Sequence, residues 1–277
     1  MPGREKTLGI VAGLAFVAVS GALTPTAVAD NVATVTAAQG ERTYYTRLKA
    51  ARNLSERLNR ASVTRLYEFL QRRAAHDPLP PEKLNALKND VANALVNQKQ
   101  PLSDFGNRLI EMHNNPDLHQ VWRDYCIQFL ASRYKRARKQ EERKRIKKTL
   151  RQAADKDWTI AGTALLSLER LGTAVDREKL GRKALEVASD DNANSAARIS
   201  ALQVCAETGE KKVLPLAREL AGSNEAGVPL RVSAIGVIGL LGNTSDSELL
   251  RDHSESSDVR LRTAARKAIQ RVNSNTK

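Results

Sequence analysis

Little in this chain is aromatic. Phe, Trp and Tyr together make up 4% of its 277 residues and gather in the N-terminal half. Together with a near absence of alternating apolar and polar residues, that scarcity argues against sheets and for an all-α protein. Cysteine occurs twice and histidine four times. His76, His113, His119 and His253 stand in different segments, and no His-x-x-x-His or Cys-x-x-Cys pair is present, so the usual metal-ligand spacings are missing. His113, Asp117 and His119 flank a turn, where helix capping is the ordinary use of such groups. No Gly-x-Ser-x-Gly elbow and no phosphate-cradling glycine loop occurs either. The expectation is a chain without cofactor, metal or catalytic group, hence not an enzyme.

What is present is repetition. Trp122–Leu130, Ala197–Cys205, Leu230–Ile238 and Leu261–Ile269 read alike, and Ile160–Leu168 is a weaker copy. The fifth position falls at Cys126, Ala164, Ala201, Ala234 and Ala265, at intervals of 38, 37, 33 and 31 residues. The ninth is Leu130, Leu168, Cys205, Ile238 and Ile269. One helical turn separates the two positions, so each copy offers a small-then-large stripe to a neighbouring helix. Gly172, Gly209 and Gly242 follow in register, where a left-handed cap would close each helix.

A second helix fits between copies. Leu180, Ala184, Leu185 and Ala188 carry one, Val213, Leu216, Ala217 and Leu220 another, and Leu249 with Leu250 a shorter third. The pattern resembles the HEAT-repeat family of armadillo-type proteins, especially its short bacterial members, over about 116 to 272. The departures are Ala161 in place of the repeated arginine and Arg266 in place of an apolar residue. The resemblance implies a right-handed α-solenoid of helical hairpins, each covering the apolar face of the next. It implies little about activity, because such folds host unrelated tasks.

Ahead of the repeats, Arg4 and Lys6 precede an uncharged run from Thr7 to Leu23, then Pro25 and Ala27-Val28-Ala29. That is the form of a secretory signal peptide over 1–29, since its apolar core falls short of the ~20 residues of a spanning helix. The residue directly after the cleavage point is Asp30 and not a lipid-accepting cysteine, and no later segment is apolar enough to span a bilayer. The expected location is exported, periplasmic or extracellular. Residues 30–42 are small and polar and read as a flexible lead. Helical spacing resumes at Tyr45, Leu48 and Leu54, then at Val63, Leu66, Phe69 and Leu70, before Asp77-Pro78-Leu79-Pro80-Pro81. Residues 43–81 form an N-terminal helical cap in this reading. Leu84 to Leu95 and Phe105 to Met112 make a degenerate first repeat, so the repeat domain runs 82–272 with a disordered tail at 273–277.

The formal net charge is +14, and it is concentrated. From Arg133 to Arg151 there are eleven Lys or Arg residues against Glu141 and Glu142. Ile146, Leu150 and Ala153 keep a narrow apolar face within that run, so its backbone reads as the second helix of a repeat. The remaining cations still create a positive field. Arg136, Arg138, Lys139, Arg143, Lys144, Lys147 and Lys148 are the candidate binding residues. Glu141 and Glu142 have the helical spacing of surface ion pairs with Arg138 and Arg145.

Arg123, Arg198, Arg231 and Arg262 recur at one position of the repeat, each shortly after an acidic residue: Asp117, Asp191, Glu225 and Asp258. They read as a structural ladder, with planar guanidinium groups gripping carboxylates or carbonyls of the adjoining hairpin. Cys126 and Cys205 lie two repeats apart, about 20 Å at the usual helix spacing, too far for the ~7 Å reach of a disulfide. Both read as buried hydrophobes.

The leading functional expectation is an exported, non-catalytic scaffold that binds an unidentified partner protein, its charge suiting an acidic one. The alternative is a polyanion-binding module, attached to an anionic envelope lipid or acidic glycan through 133–151. Nucleic acid is disfavoured by export and by Tyr134 being the lone aromatic residue in the basic run. An enzyme, perhaps lyase-like as in some short HEAT-like proteins, ranks third.

Overall fold

Small side chains at a fixed place in each repeat let helix axes approach closely, and this sets the architecture. A computed structural model describes residues 25–37, 42–156 and 160–274. Among these residues there are fourteen α-helices, four short 3-10 turns and no strand. In chain order the helices are α1 (Pro25–Thr36), α2 (Tyr44–Arg52), α3 (Arg60–Gln71), α4 (Pro81–Val96), α5 (Phe105–Asn114), α6 (Gln120–Arg136) and α7 (Gln140–Lys156). There follow α8 (Ala161–Glu169), α9 (Arg177–Ser189), α10 (Ser195–Thr208), α11 (Leu214–Gly222), α12 (Val228–Leu241), α13 (Ser247–Ser254) and α14 (Val259–Ser274). No described helix is long and apolar enough to cross a membrane.

The five copies seen in the sequence lie on α6, α8, α10, α12 and α14. These helices touch in that order, and α2 and α4 extend the row at its start. Cys126, Ala164, Ala201, Ala234 and Ala265 are all fully buried along the seam. Glycine tightens it further. A Cβ on Gly162 of α8 would meet Ala197 Cα of α10 at 2.7 Å, and one on Gly239 of α12 would meet Ala268 Cα of α14 at 2.7 Å. The second helices α5, α7, α9, α11 and α13 form the other layer, each packing most extensively on the first helix that follows it. This is an all-helical arrangement of stacked hairpins in two layers, with which a HEAT-like repeat is consistent.

Three local expectations change. Gly209 ends α10 in the left-handed region, at φ 79°, and Gly172 takes φ 61° in a 3-10 turn beyond the end of α8. Gly242, by contrast, is extended, at φ −73° and ψ −177°. Glycine is required there for space: a Cβ would lie 2.5 Å from both the Ile238 carbonyl and an Asp246 carboxylate oxygen. The stretch read as a flexible lead over 30–42 instead holds most of α1, with Val32 and Val35 buried on α2 and α3. Helix α14 likewise runs to Ser274, two residues into the expected tail. Residues 1–24, which carry most of the expected signal peptide, lie outside the described residues, and α1 spans its expected cleavage point after Ala29.

The N-terminal end is fastened by buried charge. Arg47 donates from Nε to the Val35 carbonyl (3.0 Å) and from both terminal nitrogens to Asp77 (2.9 Å each). Arg72 donates to the same carboxylate and to the Thr36 carbonyl, each at 2.9 Å. The carbonyls that the last turn of α1 leaves without a partner inside the helix thereby find donors on α2 and at the end of α3.

Candidate functional site

Helix α7 shows an amphipathic division. Ile146, Leu150, Ala153 and Ala154 are buried, while Lys144, Arg145, Lys148 and Arg151 form an exposed stripe at three- and four-residue spacing. Lys135, Arg138 and Lys139 continue it around the corner from α6. The carboxylates near the stripe are already engaged. Glu141 pairs with Lys144 at 2.9 Å, and Asp155 with Lys183 at 3.1 Å.

The seven candidate residues divide by what they touch. Arg136 donates to the Gln98 carbonyl (2.6 Å), Arg143 to the Ala137 carbonyl (2.9 Å), and Lys147 to the Ala174 carbonyl (3.2 Å). Arg143 also lies over the Tyr134 ring, 5.6 Å from its centroid. These three knit the fold together. Arg138, Lys139, Lys144 and Lys148 remain exposed, and Arg145 and Arg151 share their surface without having been singled out in the sequence. Glu142 is no surface partner. It is buried and receives a two-pronged bond from Arg133, Nε to Oε1 at 2.7 Å and Nη2 to Oε2 at 2.9 Å. A Cβ on Gly106 of α5 would meet Glu142 Oε1 at 2.5 Å, so that glycine makes room for the pair.

Over this pair opens a cleft of ≈ 500 Å³ between the loop from α4 to α5 and the corner from α6 to α7. Lys99, Gln100, Pro101 and Ser103 line one wall; Arg138 and Lys139 line the other, with Arg133 and Glu142 at the pair. Four cations thus face one carboxylate, and Arg133 already holds that carboxylate.

The repeated arginines hold helix ends. Arg123 donates from Nε to the His113 carbonyl (2.7 Å), Arg198 to that of Ala188 (2.9 Å) and Arg231 to that of Ala221 (3.2 Å). Each acceptor lies ten residues earlier, in the last turn of the preceding second helix. Arg262 departs from this pattern and reaches the Ser256 and Ser257 carbonyls, just beyond the end of α13 at Ser254. Of the expected acidic partners, Asp191 pairs with Arg198 (2.8 Å), whereas Asp117 pairs with Arg73 and Asp258 with Arg260.

Several titratable groups away from the cleft are engaged by the fold. His119 caps α6 through the Val121 N–H and contacts Asn85 (3.0 Å), while His113 meets the Arg123 carbonyl (3.3 Å). Among the described residues no group of three or more His, Cys, Asp or Glu gathers in a metal-holding arrangement. Cys126 and Cys205 are fully buried, and burial pushes both thiols up, Cys205 to about 12. Inert thiols are what such surroundings give. Lys88 is buried as well. Burial lowers its ammonium to about 8, and its Nζ donates to the Arg72 carbonyl (2.5 Å) beside the Trp122 ring.

No family model matches the sequence, and no curated protein matches it. Among solved structures, the chain is similar to human deoxyhypusine hydroxylase in complex with glycerol. The two share 12% identity at a TM-score of 0.38, over 90% of this chain and 96% of that one. That protein is an enzyme, against the expectation of a chain that is not one. A likeness this distant carries no argument about activity.

Proposed function

We propose that the chain is a HEAT-like binding scaffold that docks a partner protein with an acidic face on the outer surface of α7. In this reading the repeats form a right-handed α-solenoid capped by 43–81, and residues 1–29 direct export to the periplasm or beyond. One observation carries the docking assignment: Lys144, Arg145, Lys148 and Arg151 lie exposed in a single row, and Glu141 is the one exposed carboxylate within 133–151. Same-sign charge in a row raises encounter rates with an oppositely charged surface. Helical-repeat folds present extended surfaces suited to such contact.

The test uses full-length protein carrying Lys144→Glu, Arg145→Glu, Lys148→Glu and Arg151→Glu. These side chains point away from the core, so helical content and melting should match the wild type. Cross-linked envelope material bound to the wild type should yield an acidic protein, and the reversed variant should lose it. An unchanged set of cross-links in the reversed variant refutes docking on α7. The alternative, attachment to an anionic lipid or glycan, would instead appear as retention on protein-free anionic vesicles or acidic polysaccharide, with steep loss as salt rises.

A further inference from the structure

We infer that the cleft between the α4–α5 loop and the α6–α7 corner is a site for a phosphate-type oxyanion, such as the phosphoryl group of a phosphorylated small molecule. Three features converge there. Lys99, Arg138 and Lys139 stand exposed on its two walls, and Ser103 adds a hydroxyl. Ser103 and Lys139 also lie just ahead of the starts of α5 and α7. Helix starts favour negative charge. Finally, Arg133 already holds the lining carboxylate Glu142 in both prongs, which leaves the exposed cations without a counter-charge in the cleft lining.

The backbone of both walls is tied by hydrogen bonds, which distinguishes this cleft from a chance cluster of surface lysines. Gln98 is buried and spans to the Ser55 carbonyl (2.9 Å) and the Leu58 N–H (2.8 Å), while the Lys99 N–H donates to the Glu56 carbonyl (2.9 Å). Across the cleft, Arg143 and the Ala137 N–H tie the corner to itself. Arg136 joins the two walls through the Gln98 carbonyl. A backbone tied in this way keeps the stems of Lys99, Arg138 and Lys139 in place when a ligand arrives, so only their side chains remain to be ordered. Lys99 also pairs with Glu56 (2.9 Å), but both side chains are well exposed, and such a pair is weak enough to yield. The cleft volume of ≈ 500 Å³ falls within the range of small-molecule sites, about 300 to 1,000 Å³. A tetrahedral dianion offers three terminal oxygens to donors converging from two walls, more than a carboxylate can.

Calorimetric titration with inorganic phosphate, at fixed ionic strength and a pH where the dianion predominates, tests the assignment. Saturable one-to-one binding is expected, with chloride at the same ionic strength giving none. Arg138→Glu with Lys139→Glu should weaken phosphate binding by about 100-fold, roughly a tenfold loss for each lost contact. Lys99→Ala and Lys139→Gln, both at exposed side chains, supply a second pair of variants should the double reversal fail to fold, and each should weaken binding. The α7 stripe variant described above should keep phosphate binding, so this site and partner docking stand or fall separately. Non-saturating heats in the wild type, equal binding by the variants, or the same response to chloride each overturn the proposal.

Discussion

Arg47 and Asp77, thirty residues apart, form a two-pronged ion pair with side chains 1% and 0% exposed, and this pair closes the N-terminal end of the molecule. Burial alone would raise the Asp77 carboxyl. The bonds from Arg47 and Arg72 and from the Leu79 N–H outweigh it and hold the group below its ordinary value. Removing one partner of such a pair strands a charge in a dry place. Arg47→Ala should therefore cost about 3 kcal/mol, the low end for a buried pair because Arg72 stays with Asp77. Denaturant unfolding measures it. A carboxyl held low in the folded state stabilises above its unfolded pKa and ceases to as pH falls through the folded value. Asp77→Asn should accordingly flatten the wild-type decline in stability below about pH 4.

The Arg47 side chain also ties α1 to the rest, which makes residues 31–37 part of the fold. A chain beginning at Asp30 keeps Val32, Val35 and the carbonyls that Arg47 and Arg72 grip. One beginning at Arg42 loses them all. Two buried valines at about 1.5 kcal/mol each predict that the shorter chain is destabilised by at least ~3 kcal/mol, with faster hydrogen exchange in α2 and α3. Equal melting temperatures for the two chains would show that α1 contributes nothing.

That helix was illegible in the sequence for a physical reason. Val32 and Val35 stand at helical i, i+3 spacing, but one such pair among small and polar residues is too short to read as a helix, and α1 is held by donors twelve and thirty-six residues away that no local spacing reveals. The repeats were legible because their packing is local and recurs: Ala201, Ala234 and Ala265 occupy the same place on successive helices and bury the same face. The basic run was legible as charge but not as contacts. Arg133 and Glu142 lie nine residues apart across a corner, outside any helical spacing, so the buried pair and the cleft above it are visible only in three dimensions. Gly242 misled for a related reason, since it kept the register of Gly209 while serving the close Asp246 cap of the next turn.

Lys88 gives a pH signature. Its folded pKa of about 8 lies below its ordinary 10.5. Below pH 8 both states hold the proton and the burial penalty is fully present. Between about 8 and 10.5 the unfolded chain binds more protons than the folded one, so this group makes stability rise with pH. The total is on the order of 3 kcal/mol, from 1.36 kcal/mol per pKa unit. Cys126, Cys205 and Tyr67, all pushed up by burial, act in the opposite sense. The difference between wild type and Lys88→Met isolates the lysine. Lys88→Met should be at least as stable at pH 7 and lose its advantage toward pH 10. A constant difference across that range would mean that Lys88 is not depressed.

The arginine ladder predicts local rather than global loosening. Arg198 closes the last turn of α9 through the Ala188 carbonyl and holds Asp191, while Arg231 closes α11 through Ala221. A hydrogen bond from a charged donor is worth about 1.5 to 3 kcal/mol, and methionine keeps most of the aliphatic stem while removing the donors. Arg198→Met should speed amide exchange at Val187 to Ser189 and leave the last turn of α11 unchanged; Arg231→Met should do the reverse. Lysine at either site should restore less than half of the protection, because one ammonium cannot reproduce the planar fork. If exchange rises evenly along the chain in both variants, the arginines act through the whole stack and not through the helix ends they touch.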